Sequence, residues 1–281
     1  MRKRISFISV LTMFLAIGFV IIFSRPVKAA ANGVILKANR TYAAYDVTGD
    51  GMKDKIRIRA ANQTDDEAYT SLTVSVNGKT AYRLKNTRFY NVIANIYTLK
   101  NGQPFLYLYA PADNGDGPVC ALLKYTNGKF RKALDFTEIM AGYGNHRIGE
   151  VTNLNGNKIV ITESIVSYSL GINAINFTYK YVNGKFVPTS RYGSYKEIYS
   201  ADGSSRYFTV NSDLPVYTRP GATAVNTTLK TGSLTKIIKC ALINGKMYIQ
   251  LECDGEIYWI KALENPPIAD NERQFMEVRY A

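Results

Sequence analysis

Six two-residue turns at near-constant spacing constrain this chain more than any other feature. Asp50-Gly51, Asn101-Gly102 and Asn155-Gly156 form one series, with glycines 51 and 54 residues apart. Asn77-Gly78, Asn127-Gly128 and Asn183-Gly184 form a second, with glycines 50 and 56 residues apart. Asn-Gly and Asp-Gly supply the two positive φ angles that a tight hairpin with correctly twisted strands requires. The flanks repeat as well: Lys124-Tyr125-Thr126-Asn127-Gly128-Lys129-Phe130 mirrors Lys180-Tyr181-Val182-Asn183-Gly184-Lys185-Phe186. Each unit therefore holds two hairpins, or four strands, in about fifty residues. In the second unit the predicted strands are 92–99, 104–110, 119–125 and 129–135. An all-β chain follows, and its 21 tyrosines fit that class.

The first turn carries more than a turn needs. Asp46, Asp50 and Asp54 stand at loop positions 1, 5 and 9, Thr48 at position 3, and the Met52 carbonyl at position 7. Gly51 at position 6 permits the sharp bend. Oxygen donors at this spacing suit calcium. Arg57 occupies position 12, where an EF-hand has its bidentate Glu, and Lys55-Ile56-Arg57-Ile58-Arg59 reads as a strand rather than an exiting helix. The same residues also suit an Asp-Gly hairpin turn with solvated acids. The corresponding loops of the other two units keep the turn and lack the acids.

A calcium loop within a hairpin resembles the FG-GAP and VCBS-type repeats of surface β-propellers. The resemblance covers about a dozen residues, and it implies a propeller-like β-repeat domain over 33–198. Three units fall short of a typical closed propeller, which leaves unusual closure, open stacking or self-association.

Residues 1–29 read as a signal peptide. A basic start, Met1-Arg2-Lys3-Arg4, precedes a long apolar run, and Val27-Lys28-Ala29 ends in a cleavage-type sequence. The run is also long enough for a retained membrane anchor. No Cys lies near the cleavage site, so no lipid anchor is expected. Removing the five basic residues of 1–29, which contain no acid, lowers the formal charge from +13 to +8. An exported basic protein is suited to anionic wall polymers or head groups. Nucleic acid is not expected, because export and the lack of a dense basic run argue against it. Cys120, Cys240 and Cys253 read as buried thiols.

After a predicted linker at 199–207 the composition shifts. Leu214-Pro215-Val216, Arg219-Pro220-Gly221, the turn Leu229-x-x-Gly232 and the aromatic strand Tyr258-Trp259-Ile260 occur in order. This set resembles the bacterial SH3-like domain and implies a small β-barrel over 208–264, with Pro215 on an edge strand. Such modules dock on peptidoglycan, and the resemblance points to Tyr217, Arg219, Tyr248 and Trp259 as ligand-binding. Core packing is the alternative for each aromatic. The tail, 265–281, is expected to add at most one short strand at 275–278.

Residues that carry chemistry are sparse. His146 is the single histidine, too few for a zinc site or for a Cys/His peptidase built on strand cysteines. No G-x-S-x-G elbow occurs. The expected function is therefore a secreted or wall-associated, non-catalytic binding protein, with peptidoglycan or anionic wall polymers as partners. The competing readings are a glycan hydrolase with a carboxylate pair on the repeat loops and a purely structural envelope component.

Overall fold

The computed structural model describes residues 33–113, 116–276 and 278–280. The expected signal peptide, 1–29, lies outside them. Among the described residues no helix is long and apolar enough to cross a membrane.

The protein is all-β, and its first three sheets are built from consecutive hairpins. Strands β2 (Thr41–Tyr45), β3 (Asp54–Gln63), β4 (Tyr69–Val76) and β5 (Lys79–Phe89) form a four-stranded antiparallel meander. The next meander comprises β6 (Ile93–Thr98), β7 (Pro104–Ala110), β8 (Val119–Thr126) and β9 (Lys129–Asp135). Its strands match the predicted ones to within a residue or two. A fifth strand, β1 (Val34–Leu36), skips the first unit and pairs with β6. The third unit contains β10 (Gly144–Asn155), β11 (Lys158–Ser167), β12 (Gly171–Val182) and β13 (Lys185–Pro188). At the turns, Asn77, Asn127 and Asn183 all take positive φ, as do their glycines.

The three sheets stack. Alternation in β7 sends Phe105, Tyr107 and Tyr109 into one core and Leu106, Leu108 and Ala110 into another. The second core also holds Ile56, Ile58, Leu72 and Val74 of the first sheet. The first core holds Ile159, Ile161, Ile175 and Phe177 of the third sheet. The middle sheet is thus apolar on both faces, which is why its strands read as near-continuous hydrophobic runs. Each large side chain buried there contributes about 1.5–3 kcal/mol. The outer faces of the first and third sheets point away from one another.

The third sheet does not end with its unit. Strand β14 (Tyr192–Ile198) pairs with β12 on one side and with β18 (Leu234–Ile243) on the other. Beyond β18 come β19 (Lys246–Cys253) and β20 (Glu256–Lys261), while β15 (Tyr207–Thr209) pairs with β18 near its start. One nine-stranded sheet therefore crosses the expected linker at 199–207, and Ile237, Ile249 and Ile260 join the same core as Ile161. A small hairpin of β16 (Leu214–Val216) and β17 (Thr227–Leu229) covers one end through the bridge between Tyr217 and Trp259. None of these sheets closes into a propeller or a barrel. Of the outcomes left open for the three units, closure is absent and the meanders stack face to face; the small closed barrel expected over 208–264 is absent as well, because its strands extend the sheet of the third unit. Phe275 of the tail is fully buried and bridges Val210, so the end of the chain is docked.

Candidate functional site

The acidic loop between β2 and β3 is organised by two carboxylates. Asp46 accepts hydrogen bonds from the amides of Gly49 (2.6 Å) and Gly51 (2.7 Å). Desolvation, the largest single influence, raises its pKa, but these amides, the Thr48 hydroxyl and the Asp50 backbone together outweigh it and hold the carboxyl below its usual range. Asp54 is only 1 % exposed. It accepts from the amides of Val47 (2.7 Å) and Thr48 (2.9 Å) and from the Asn77 side chain (2.6 Å). Asn77 in turn accepts from the Lys55 amide at 2.8 Å, so Asp54 ties the loop to the β4–β5 turn. The Thr48 hydroxyl lies 3.3 Å from one oxygen of Asp46 and 3.3 Å from one of Asp54. Asp50 instead accepts from the Met52 amide at 2.8 Å, and the Met52 side chain is exposed.

The fit to a cation is therefore partial. Asp46, Thr48 and Asp54 bring oxygens together, whereas among the described residues no group of three acidic, His or Cys side chains is arranged to hold a metal. Asp54 has a structural task whatever the cation does. Asp54→Ala removes the acceptor of three donors, of which the Val47 amide is buried and those of Thr48 and Asn77 can turn to water, and should cost about 1–3 kcal/mol with or without calcium, readable as a lower denaturation midpoint in either buffer.

The C-terminal aromatics meet on the outer face of the nine-stranded sheet. Cross-strand register aligns Tyr192, Ala241, Tyr248 and Lys261 in one row and Ser194, Lys239, Gln250 and Trp259 in the next. Tyr217, Tyr248 and Trp259 are buried together with Ala241 in a satellite cluster. At 4 % exposure the Trp259 indole is the floor of this face rather than its surface. Arg219 is exposed on the neighbouring turn. The aromatic that does reach solvent is Tyr192, 42 % exposed, its ring centroid 6.0 Å from that of Trp259. Lys239 lies over Tyr192 (4.6 Å) and Trp259 (6.0 Å), and Lys261 lies over Tyr217 (5.0 Å). Beside them is a cavity of about 160 Å³ lined by Ala222, Lys246, Tyr248, Lys261 and Glu264. No family model, curated protein or solved structure matches the chain.

Reading the sequence alone misses two groups here. Tyr192 is one; its signal is the alternation Tyr192-Gly193-Ser194-Tyr195, which puts Tyr195 in the core and Tyr192 outside. Glu163 is the other. It falls in phase with Ile159, Ile161 and Ile165, is fully buried, and neither carboxylate oxygen has a hydrogen-bond partner among the described residues. Burial pushes its pKa well up; the Arg147 charge opposes this and Asp135 adds to it. Burial also pushes the thiols of Cys120 and Cys240 up to about 12, so both stay protonated at neutral pH. All three cysteines are free and buried.

A second cavity, about 330 Å³, is lined in part by Lys132, Asp135, Glu138, Ile139 and Phe186. Asp135 is already committed there, accepting from the Thr137 amide and hydroxyl and pairing with Lys132.

Proposed function

We propose that this is an exported, non-catalytic binding protein that docks on peptidoglycan or anionic wall polymers through the outer face of its C-terminal sheet. The observation that carries the reading is Lys239 poised over both Tyr192 and Trp259, with Lys261 over Tyr217 alongside. Lysines held against aromatic rings present cations for acidic substituents next to an apolar plate for sugar rings. The small cavity beside them has room for one charged substituent at Lys246 and Lys261. On this reading the hairpin units are blade-like and 208–264 is SH3-like, supported by the Tyr217–Trp259 bridge that brings β16 against β20.

Co-sedimentation of the full chain with purified peptidoglycan freed of phosphate-containing polymers tests the proposal. The wild type should pellet at moderate salt, while Lys239→Glu combined with Tyr192→Ala should reduce binding at least tenfold and still unfold cooperatively, at a somewhat lower temperature because the contacts to Trp259 are lost. Equal pelleting of the two proteins would refute it.

Calcium at the Asp46 loop belongs to the same proposal. Asp46, Thr48, Asp50, the Met52 carbonyl and Asp54 would hold it weakly, and it would supply stability rather than chemistry. Millimolar calcium should then raise the melting temperature, by an amount corresponding to about 1–2 kcal/mol. Asp50→Ala is the informative variant, because Asp50 is exposed and holds only the Met52 amide. If calcium leaves the wild-type melting curve where it was, the loop is a turn and nothing more.

One observation favours a second reading, a glycan hydrolase. Burial raises the Glu150 carboxyl, with Lys196 opposing and Glu197 reinforcing the shift. A raised acid near a second carboxylate is the requirement for glycoside cleavage. Release of reducing ends from wall glycans by the wild type, lost in Glu150→Gln, would replace the binding proposal with this one.

A further inference from the structure

The outer face of the first sheet carries an uncompensated positive charge. In β3 every second residue points away from the core, and these are Lys55, Arg57, Arg59 and Ala61. Across the ladder Arg59 is opposite Thr73, which is opposite Arg83; Ala61 is opposite Ser71, which is opposite Lys85. Arg57 lies between Thr41 and Ser75. Lys55, Arg57, Arg59, Arg83 and Lys85 are all exposed, and none of the ion pairs among the described residues involves them. The nearby acids lie at the ends of the sheet, in the Asp46–Asp54 loop and in Asp65-Asp66-Glu67, where Asp66 pairs with Arg88.

Five cations on one flat face repel each other, and like charges on neighbouring strands destabilise a sheet. The face is complementary to an extended polyanion. Successive cations along β3 are about 7 Å apart, and Arg59 and Arg83, two strands apart, are about 10 Å apart. The three arginines present planar forks suited to phosphate oxygens, and the serines and threonines between them add hydroxyl donors. The outward side chains Thr41, Ser71, Thr73, Ser75 and Thr80 include no aromatic ring on which a nucleobase would stack. They also include no large apolar group to insert between lipids.

We infer that the outer face of β2–β5 is a binding surface for an extended phosphodiester polymer of small polyols, gripped through its phosphates. This surface lies on a different sheet from the C-terminal aromatic face and does not depend on that face for its argument. Occupied together, the two faces would let one molecule bridge two polymer chains.

The test uses the full chain and poly(glycerol phosphate) of defined length, with affinity measured between 50 and 200 mM salt. Neutralising five phosphates on a flexible chain predicts a log–log salt slope of about −3.5, a loss of about a hundredfold over that range. Arg57→Ser/Arg59→Ser/Arg83→Ser, all at solvent-facing positions, should melt at or above the wild-type temperature because repulsion is relieved, and its affinity should fall less than about tenfold over the same salt range, because two contacts remain. Lys239→Glu/Tyr192→Ala should bind this polymer as the wild type does. Three results would overturn the inference: no wild-type binding at 50 mM salt, an unchanged slope in the triple-serine variant, or arginine-dependent binding to vesicles of anionic phospholipid that the polymer does not compete away. The C-terminal variant and the triple-serine variant are measured separately, so loss of binding at one face is distinguished from loss at the other.

Discussion

Gly149→Ala should destabilise the protein by about 3 kcal/mol or more. Gly149 lies in β10 directly opposite Glu163 of β11. A Cβ at this position would stand 1.9 Å from Cδ1 of Phe136 and 2.5 Å from a carboxylate oxygen of Glu163. Neither neighbour has room to retreat. Phe136 is fully buried in a 3₁₀ turn, Phe136–Glu138, and packs edge-on to Tyr107 at 5.8 Å. The Gly149 carbonyl is also held, accepting from the Tyr107 hydroxyl at 2.8 Å. Overpacking at a tight site ordinarily costs about 1–3 kcal/mol; here two fully buried groups must shift together and one hydrogen bond is put at risk. Chemical denaturation gives the number directly. A loss under about 1 kcal/mol would mean that the middle and third sheets are not packed as described.

Glu163→Leu should do the reverse. The carboxyl is sealed in the core with neither oxygen hydrogen-bonded among the described residues, and burial raises its pKa well above the ordinary value. Leucine removes an unsatisfied buried polar group, worth about 1–3 kcal/mol. The pH dependence carries the sign. Below the unfolded-state pKa both states hold the proton and Glu163 adds no slope. Above it the unfolded chain ionises while the folded one keeps its proton. Wild-type stability therefore falls as pH rises, at about 1.4 kcal/mol per pH unit, until the folded-state pKa is reached. Glu163→Gln, which cannot ionise, should remove that slope. Denaturation midpoints from pH 4 to 8 decide the matter: an identical slope in wild type and Glu163→Gln would show that the group is not buried as a neutral acid.

Turn chemistry made much of this fold legible. The Asn-Gly pairs at 77, 127 and 183 take positive φ at both residues, as tight hairpins require, whereas at Asp50-Gly51, Asn101-Gly102 and Asn155-Gly156 only the glycine does and the turn differs; even so the hairpins and most strand limits could be read directly. Sheet membership could not. The pairing of β1 with β6 and of β14 with β18 joins residues far apart in the chain, and no turn residue marks such a partnership. The joining of the third unit to the C-terminal segment was hidden for this reason; within the stretch 199–207, read as a linker, a turn is closed by the bridge between Tyr199 and Ser205, and the strands on either side both pair with β18. At the sites, residue type was readable and exposure was not. Trp259, Tyr217 and Tyr248 were found as a group from the order of their motifs, yet their rings are largely buried and Tyr192 takes the exposed place. The spacing of Asp54 fitted a ligand, whereas its burial beneath the amides of Val47 and Thr48 depends on Asn77, contributed by a turn 23 residues away.

Lysine footprinting of the full chain bound to purified wall material tests the central proposal most directly. An amine-reactive reagent labels each lysine according to its access, and mass spectrometry reads every site separately. The account predicts that Lys239 and Lys261 lose most of their reactivity on the wall while Lys158, exposed elsewhere, keeps its own. Wall-bound protein in which Lys239 and Lys261 react as fast as they do in the free protein would contradict it.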